Sequence, residues 1–365
     1  MLSSGYRILP ILVFNILLRV IVSHMPPKTK NRTTLKDVAL KTGFSINTVS
    51  RALRNMQDIS EETRTYIQRV AGEMGYMGNT VAASLRSGYT HTIAVIVGDV
   101  SNLFHSIVTE EVEKNARRHG YSTILLNTSE DDDAEFLAIQ TALNRNVDGI
   151  LLCPAQQSER NTKFLKESGV PFVLFARRSE EVETDFVVGD DRMGGYLATR
   201  YLIENGHRNI LLVQGPKYNS SALNRRLGYC DALKEAGIPV REELICEVPI
   251  KGSGSQKIIS DILKKGARFT AIFAFSDLVA LVLIEYLQNE GYRIPEDFSI
   301  IGFDNIQSNF PLPIRLASVD NQKTEIAAQA VSMLLKRIRA DHPQEGYLQK
   351  TLETKLIGRS SVKRI

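Results

Sequence analysis

The chain of 365 residues contains no tryptophan, three cysteines and six histidines, and each scarcity closes off some chemistry. Without tryptophan, aromatic stacking on a ligand falls to phenylalanine or tyrosine. Cys153, Cys230 and Cys246 lie far apart, with no CxxC spacing and no histidine-rich neighbourhood. That pattern supports neither a zinc site nor a disulfide framework, and it suits a reducing, intracellular setting. The histidines are scattered, so no Ser/His/Asp set or metal cluster assembles from them. A nucleotide fingerprint is missing as well: Gly252-Ser253-Gly254 sits in an expected loop without the third glycine or the helix start that a phosphate site needs. These gaps argue against an enzyme, a bound metal or a resident cofactor.

Long apolar runs are nearly absent. The exception, Ile8 to Val22, falls short of the roughly 20 residues of a membrane span. It is interrupted by Pro10, Asn15 and Arg19 and followed by no small-residue cleavage site. Residues 1–32 therefore read as an N-terminal extension, with Met25 the expected working start; a membrane anchor or export signal is the rival reading.

What remains is the composition of an ordinary globular protein, 43% hydrophobic and 24% charged, too long for one core and suited to two or three compact units. The formal net charge of +4 is unevenly spread. Between Met25 and Arg86 lysines and arginines outnumber aspartates and glutamates ten to five, while the remainder is slightly acidic. A basic amino-terminal segment on a near-neutral chain is the electrostatic footprint of a polyanion binder.

Within that segment, Thr34 to Leu53 has the periodicity of two short helices. Leu35, Val38 and Ala39 make one apolar face behind a Thr34 N-cap; Gly43 provides the turn; Ser45 caps a second helix whose Ile46, Val49 and Leu53 form the next stripe. Its outward positions carry Asn47, Thr48, Ser50 and Arg51, side chains suited to base edges and phosphates. Ser60 with Glu61 and Glu62 starts a third helix whose Ile67, Val70, Ala71 and Met74 face inward and which Gly75 stops. Asn79 to Arg86 is helix-compatible but too short to be stable alone.

The run T-L-K-D-V-A with T-V-S-R-A-L, followed by S-E-E-T-R and then by G-Y, N and S-L-R, resembles the start of the LacI/GalR family of bacterial transcription repressors. The resemblance implies a helix-turn-helix DNA-binding domain over 33–78, with a hinge helix and linker over 79–90. By the family's residue roles, Ile46, Asn47 and Arg51 would read bases, and Thr34, Ser45, Thr48 and Ser50 would hold phosphates. The hinge helix, with Asn79, would order on the operator and wedge Leu85 into the minor groove. Two departures bear on that hinge: Gly78 stands where proline is usual and Ala83 where arginine is common.

From His91 onward the periodicity changes. Short β-rich runs at 93–97, 123–127, 149–153, 172–175, 210–213, 271–275 and 299–303 alternate with amphipathic helical stretches such as Ile107–His119 and Tyr196–Asn205. Spacings near 30 residues mark βαβ units and parallel sheets, too many strands for one sheet. The pattern resembles the two-lobed periplasmic-binding-protein type fold that forms the effector and dimerisation domain of the same family, covering 91–365. The expected lobes are 91–188 with 321–340, and 192–316 with 345–360, joined near Val188–Asp191 and Ala317–Asp320.

Ligands of such sheets bind beyond the carboxyl ends of the strands. That rule selects Asp99, Asn102 and Phe104, then Asp190 and Asp191, then Ser276 and Asp277, and finally Asp304. Arg225, in SSALNRRLGY, matches the family's cleft arginine. Carboxylates that accept from vicinal hydroxyls, beside a guanidinium that donates in a fork, suit a polyhydroxylated effector. The family's N-P-F-F run is Asn102-Leu103-Phe104-His105 here, and Ser276 replaces a frequent asparagine; His105 in an aromatic's place points to a more polar or acidic effector, a sugar or sugar acid. The chain thus reads as a small all-α head followed by a bilobed α/β sensor. Its expected role is that of a cytoplasmic, effector-controlled repressor, a homodimer or higher assembly on a pseudo-palindromic DNA operator. An exported solute-binding protein is the alternative, and it has no use for Thr34 to Leu53.

Overall fold

The structure is a computed structural model, and it describes residues 33–77, 88–250, 254–264, 266, 268–312, 314–340 and 346–365. The chain divides into two compact units, parting between Arg86 and Ser87. Asn79 and Leu85 lie outside the described residues.

Among the described residues the head unit has three helices: α1 (Leu35–Thr42), α2 (Ile46–Leu53) and α3 (Glu61–Glu73). Thr34 and Asp37 form a reciprocal capping box on α1, so two of the helix's unpaired backbone donors are satisfied. Gly43, at φ 77°, takes the left-handed conformation that closes the turn and lets Ser45 cap α2. Val38, Ala39, Val49, Ala52, Ile67 and Ala71 form the core. It is small, and every helix contributes to it.

The second unit carries two six-stranded sheets. In the first lobe β1 (Thr92–Val97), β2 (Ser122–Asn127), β3 (Gly149–Leu152), β4 (Phe172–Phe175) and β5 (Phe186–Gly189) are covered by α4 (Leu103–Arg118), α5 (Asp132–Asn144) and α6 (Arg160–Glu167). The second lobe contains α7 (Asp191–Glu204), β6 (Ile210–Gln214), α8 (Ser220–Glu235), β7 (Ile245–Glu247), α9 (Ser255–Lys264), β8 (Ala271–Ala274), α10 (Asp277–Asn289), β9 (Ser299–Phe303) and β10 (Ala317–Asp320). The chain then returns as α11 (Lys323–Ile338) and ends with β11 (Gln349–Leu352) and β12 (Lys355–Ile357). Strand order is β11-β5-β4-β3-β1-β2 in one sheet and β12-β10-β9-β8-β6-β7 in the other. Every pairing is parallel except β10 with β12.

Alternation along a strand fills both faces. Ile93, Val95 and Val97 enter the core under α4 and α11, whereas Ala94 and Ile96 enter the core under α5 and α6. A strand apolar at every position is buried on both sides, as helix-covered parallel sheets require.

Three boundaries differ from the sequence expectations. Helix α4 starts at Leu103 rather than Ile107 because Asn102 caps it, and α7 starts at Asp191 rather than Tyr196 because Asp190 does. Residues 349–352 pair with β5 of the first sheet instead of joining the second lobe, and only β12 reaches the second sheet. The segment Gln-Lys-Thr-Leu has no apolar run to declare a sheet; its place is set by where the chain crosses. Asp190 N–H donates to the Leu352 carbonyl (2.8 Å) and Thr354 Oγ1 to the Asp190 carbonyl (3.2 Å), so neighbouring crossovers are stitched together.

Candidate effector cleft and nucleic-acid interface

On the head, Val49 and Ala52 turn inward and Leu53 packs against the same core, which leaves the other positions of α2 outward. Ile46 is 49% exposed, Asn47 is exposed, and Thr48, Ser50 and Arg51 are half-buried. Three of the hydroxyls are already engaged: Thr34 Oγ1 donates to Asp37 (2.7 Å), and Ser45 Oγ bonds Thr48 Oγ1 (2.9 Å) while accepting from Thr48 N–H (3.1 Å). Arg51 is ion-paired with Asp58. Leu40 on α1 (74%) and Met56 in the loop after α2 (43%) are exposed, positions that no cap or apolar stripe marks.

In the sensor a cleft open to solvent lies among both lobes' strand ends. Its lining includes Asn102, Phe104, His105 and Arg177 from the first lobe, Asp191, Ser221, Arg225, Phe275, Ser276 and Asp304 from the second, and Asn321 from the crossover.

Arg225 is its centre. Its Nε donates to Asp191 (2.8 Å), one Nη donates to the Phe275 carbonyl (2.5 Å), and the other lies 3.8 Å from Asp304. The guanidinium sits 3.6 Å from the centroid of the Phe303 ring, so its face is covered and its edges are left for polar partners. Glycines make this reach possible: a Cβ at Gly195 would strike the Arg225 backbone, and one at Gly228 would strike Arg192 and Tyr196, so α7 and α8 pack backbone to backbone.

Burial pushes the Asp304 carboxyl up to about 6, against the opposing pull of Arg225 and Lys323. Its backbone is left-handed, as is that of Asn305 (φ 98° and 47°), a conformation that needs outside support. Lys323, the first residue of α11 and itself buried, supplies it by donating to the carbonyls of Asp304 (3.0 Å) and Asn305 (2.9 Å) and to Ser308 Oγ (3.0 Å). Asn321 Nδ2 donates to Asp304 Oδ1 (3.0 Å), which leaves its buried Oδ1 without a partner.

On the other wall, His105 Nε2 stands 3.7 Å from Glu130, and its buried Nδ1 has no partner. Glu130 forms a two-pronged pair with Arg177 (2.6 and 3.0 Å). Burial works against that carboxylate, yet Arg177 and His105 outweigh it and hold it well below the usual range. His105 and Asn321 thus bring unsatisfied buried polar atoms to a cleft that a polar ligand would complete.

Three residues selected by the strand-end rule stand elsewhere. Asp99 is the first residue of a turn, accepting from Ser101 N–H (2.9 Å) and Oγ (2.7 Å), and is not part of the cleft lining. Asp190 caps α7 and lines a separate pocket with Arg178, Arg192 and Asn224; its neighbour Asp191 reaches the cleft. Asp277 is fully buried and turned into the lobe, accepting from Ile306 N–H (2.8 Å) and Ser318 Oγ (2.7 Å). The rule finds strand ends; which way a side chain leaves them depends on the turn that follows. Arg177, Ser221, Phe275 and Asn321 line the cleft without having been selected. Arg177 follows the recognised β4 and was open to the same rule, whereas Asn321 follows β10, a strand too short and polar to read from sequence.

A family model described as bacterial regulatory proteins, lacI family, matches residues 34–79, and one described as periplasmic binding proteins and sugar binding domain of LacI family matches residues 90–357. The chain belongs to the LacI family. This LacI-family chain is 33% identical over 332 residues to the HTH-type transcriptional repressor PurR of Vibrio atlanticus, across 90% of its own length and 98% of that protein. It is 30% identical to PurR of Glaesserella parasuis, across 91% and 99%. Among solved structures, the transcriptional regulator CelR–cellobiose complex matches at TM-score 0.67 and 27% identity, over 90% of this chain and 100% of that one. The lac repressor dimer bound to operator and the anti-inducer ONPF shares the fold at TM-score 0.79 and 21% identity, over 91% and 100%. The LacI-family chain is therefore a DNA-binding transcriptional repressor with an effector-binding domain. The alternative of an exported solute-binding protein is set aside, because the match extends through the helix-turn-helix and the relatives are repressors over their full length.

Proposed function

We propose that this repressor senses a small polyhydroxylated metabolite, a sugar or sugar acid, in the interlobe cleft, and that the bound ligand sets its affinity for a pseudo-palindromic operator held by a homodimer in the cytoplasm. The observation that carries the reading is Arg225, fixed over Phe303 with Asp191 on one edge and Asp304 near the other. Carboxylates accept from vicinal hydroxyls, a guanidinium donates in a fork, and the ring provides an apolar floor. Support comes also from relatives whose structures hold cellobiose and ribose. The free Oδ1 of Asn321 would accept from a ligand hydroxyl, and the free Nδ1 of His105, carrying its proton, would donate to a hydroxyl or carboxylate oxygen of the same ligand. On the head, Ile46, Asn47 and Arg51 read bases, while Thr34, Ser45, Thr48 and Ser50 hold phosphates. Control is linkage: a ligand that prefers one arrangement of the lobes shifts the equilibrium between operator-competent and incompetent dimers by its differential affinity.

Duplexes selected from a random pool, titrated by fluorescence anisotropy with and without cellobiose, ribose and gluconate, test the whole reading. One of these or a related sugar is expected to shift operator affinity. Arg225→Ala should abolish that shift with operator binding nearly intact. An Arg225→Ala protein that responds as the parent does would remove the cleft from the mechanism.

A further inference from the structure

Arg51 does not stand free on the outer face of α2. One of its terminal nitrogens is paired with the carboxylate of Asp58, and its Nε is buried without a partner. We propose that Asp58 is a positioning residue for DNA recognition: by holding the Arg51 guanidinium it converts a general phosphate-binding cation into a selective reader of a base edge. The inference rests on the assignment of Arg51 to base reading.

The loop leading to Asp58 is held from several sides. Asn55 N–H donates to the Ala52 carbonyl (3.1 Å), and Met56 N–H to the Arg51 carbonyl (3.1 Å). From α3, Gln68 Nε2 donates to Asn55 Oδ1 (2.6 Å) and to the Ala52 carbonyl (3.2 Å). The loop that carries Asp58 is thus tied to both helices. The neighbouring Arg54 is turned away, its Nε donating back to the Ser50 carbonyl (3.1 Å), so Arg51 is the arginine that Asp58 holds.

Stability does not account for the pair. The two side chains are 39% and 46% exposed, and ion pairs at such exposure contribute little. Against a polyanion the acidic group is a liability, since it subtracts from the head's positive field beside the side chain that approaches DNA. Its effect is on selectivity. A guanidinium presents five donors in a rigid plane. With one terminal nitrogen engaged and Nε buried, a limited set of terminal N–H bonds remains for DNA. Two parallel acceptors on a neutral base edge, such as O6 and N7 of guanine, can take that set beside the carboxylate, whereas a phosphate, which also offers two oxygens, brings a like charge next to Asp58 and is repelled by it. An arginine anchored beforehand also loses less side-chain freedom on binding.

The test uses the full chain. Wild type, Asp58→Asn, Asp58→Glu and Arg51→Ala are each taken through selection from a random duplex pool. Affinities for the best duplex, its single-base variants and random duplex are then measured across a salt series. Arg51→Ala identifies the base pair that Arg51 reads. At that pair Asp58→Asn is expected to reduce discrimination roughly fivefold, from the ~10- to 100-fold of a good bidentate contact. Binding to random duplex should strengthen about threefold, and the salt slope should steepen by about 0.9, one further phosphate neutralised. Asp58→Glu, which keeps the charge, should restore the parental salt slope and part of the discrimination. Three results would overturn the proposal: unchanged discrimination and slope in Asp58→Asn, an equal loss on all duplexes, or loss of preference at a different base pair, which would make Asp58 itself a reader. If wild type enriches no sequence, the base-reading assignment fails first, so the two failures are distinguishable.

Discussion

Lys323 supports the cleft without lining it. Its ammonium, buried at the start of α11, holds the carbonyls of two left-handed residues, and one of those, Asp304, directs its carboxyl toward Arg225. Cations from three elements bear on that carboxyl, Arg225, Lys323 and Arg177, and they oppose its burial and the nearby Asp191. Lys323→Met should therefore do two things. It should destabilise the sensor by about 1–3 kcal/mol, the penalty for leaving buried polar groups unpaired, as read by thermal unfolding. It should also raise the Asp304 titration above its present value of about 6, as read by carboxyl carbon NMR. A variant that unfolds earlier with Asp304 titrating where it did would make Lys323 a packing residue only. In the sequence Lys323 is one lysine among many; nothing in QKTEIAAQ marks it as buried, because its partners sit in the loop from Asp304 to Ser308, 15 to 19 residues earlier and beyond the reach of helix periodicity.

At the scale of elements, α7 and α8 decide whether Asp191 and Arg225 meet. Their glycines allow backbone contact, and a Cβ at Gly228 would strike the Arg192 carbonyl and the Tyr196 amide, which are backbone and cannot swing aside. Gly228→Ala is expected to destabilise the second lobe by about 1–3 kcal/mol, as overpacking commonly does. Effector response should be lost with less damage to selective DNA binding, since the head is a separate compact unit. Denaturant melts and operator titrations with whichever metabolite shifts the parent's operator affinity would check both; a Gly228→Ala protein with normal response would show that the helices can part without consequence for the site. The head is more fragile. Ile67 is fully buried in a core of six side chains, so Ile67→Ala, at about 2–5 kcal/mol, should abolish selective duplex binding while the sensor still melts cooperatively. Helices of this kind were open to reading from sequence, because caps and apolar stripes are local. The strands β7, β10, β11 and β12 were not, because none carries more than two adjacent apolar residues, and the apolar β5 follows β4 too closely for the 30-residue spacing of βαβ units.

For the whole molecule, buried carboxyls couple stability to pH. Burial raises Asp277 to about 8 and Glu135 to about 7. Such groups hold a proton in the folded chain that they release when unfolded, so stability is lost as pH rises from the unfolded value near 4 through the folded one. His207, lowered by burial, acts below its ordinary value of 6.5 and stays out of a comparison made above it. The melting temperature should therefore be lower at pH 8.5 than at pH 6.5. Asp277→Asn, which keeps one acceptor for Ile306 N–H and can donate to Ser318, should narrow the gap. Equal gaps in parent and variant would mean that Asp277 does not carry the dependence.

The sequence by itself determined the three head helices and their caps, the alternation of parallel strands and helices, and the likeness to a repressor family, since all of these are written in residues close along the chain. Tertiary structure alone decided that Asp191 rather than Asp190 enters the cleft, that Asp277 turns inward, that Asn321 joins the lining, and that residues 349–352 complete the first sheet. The physical reason is reach. Caps and stripes depend on neighbours three or four positions away, whereas a side chain's exit from a strand end, and the burial that shifts its charge, depend on partners from 17 residues away, as Asn321 is from Asp304, to 41, as Ser318 is from Asp277, and the edge of the first sheet on a segment 163 residues away, as Leu348 is from Asp185.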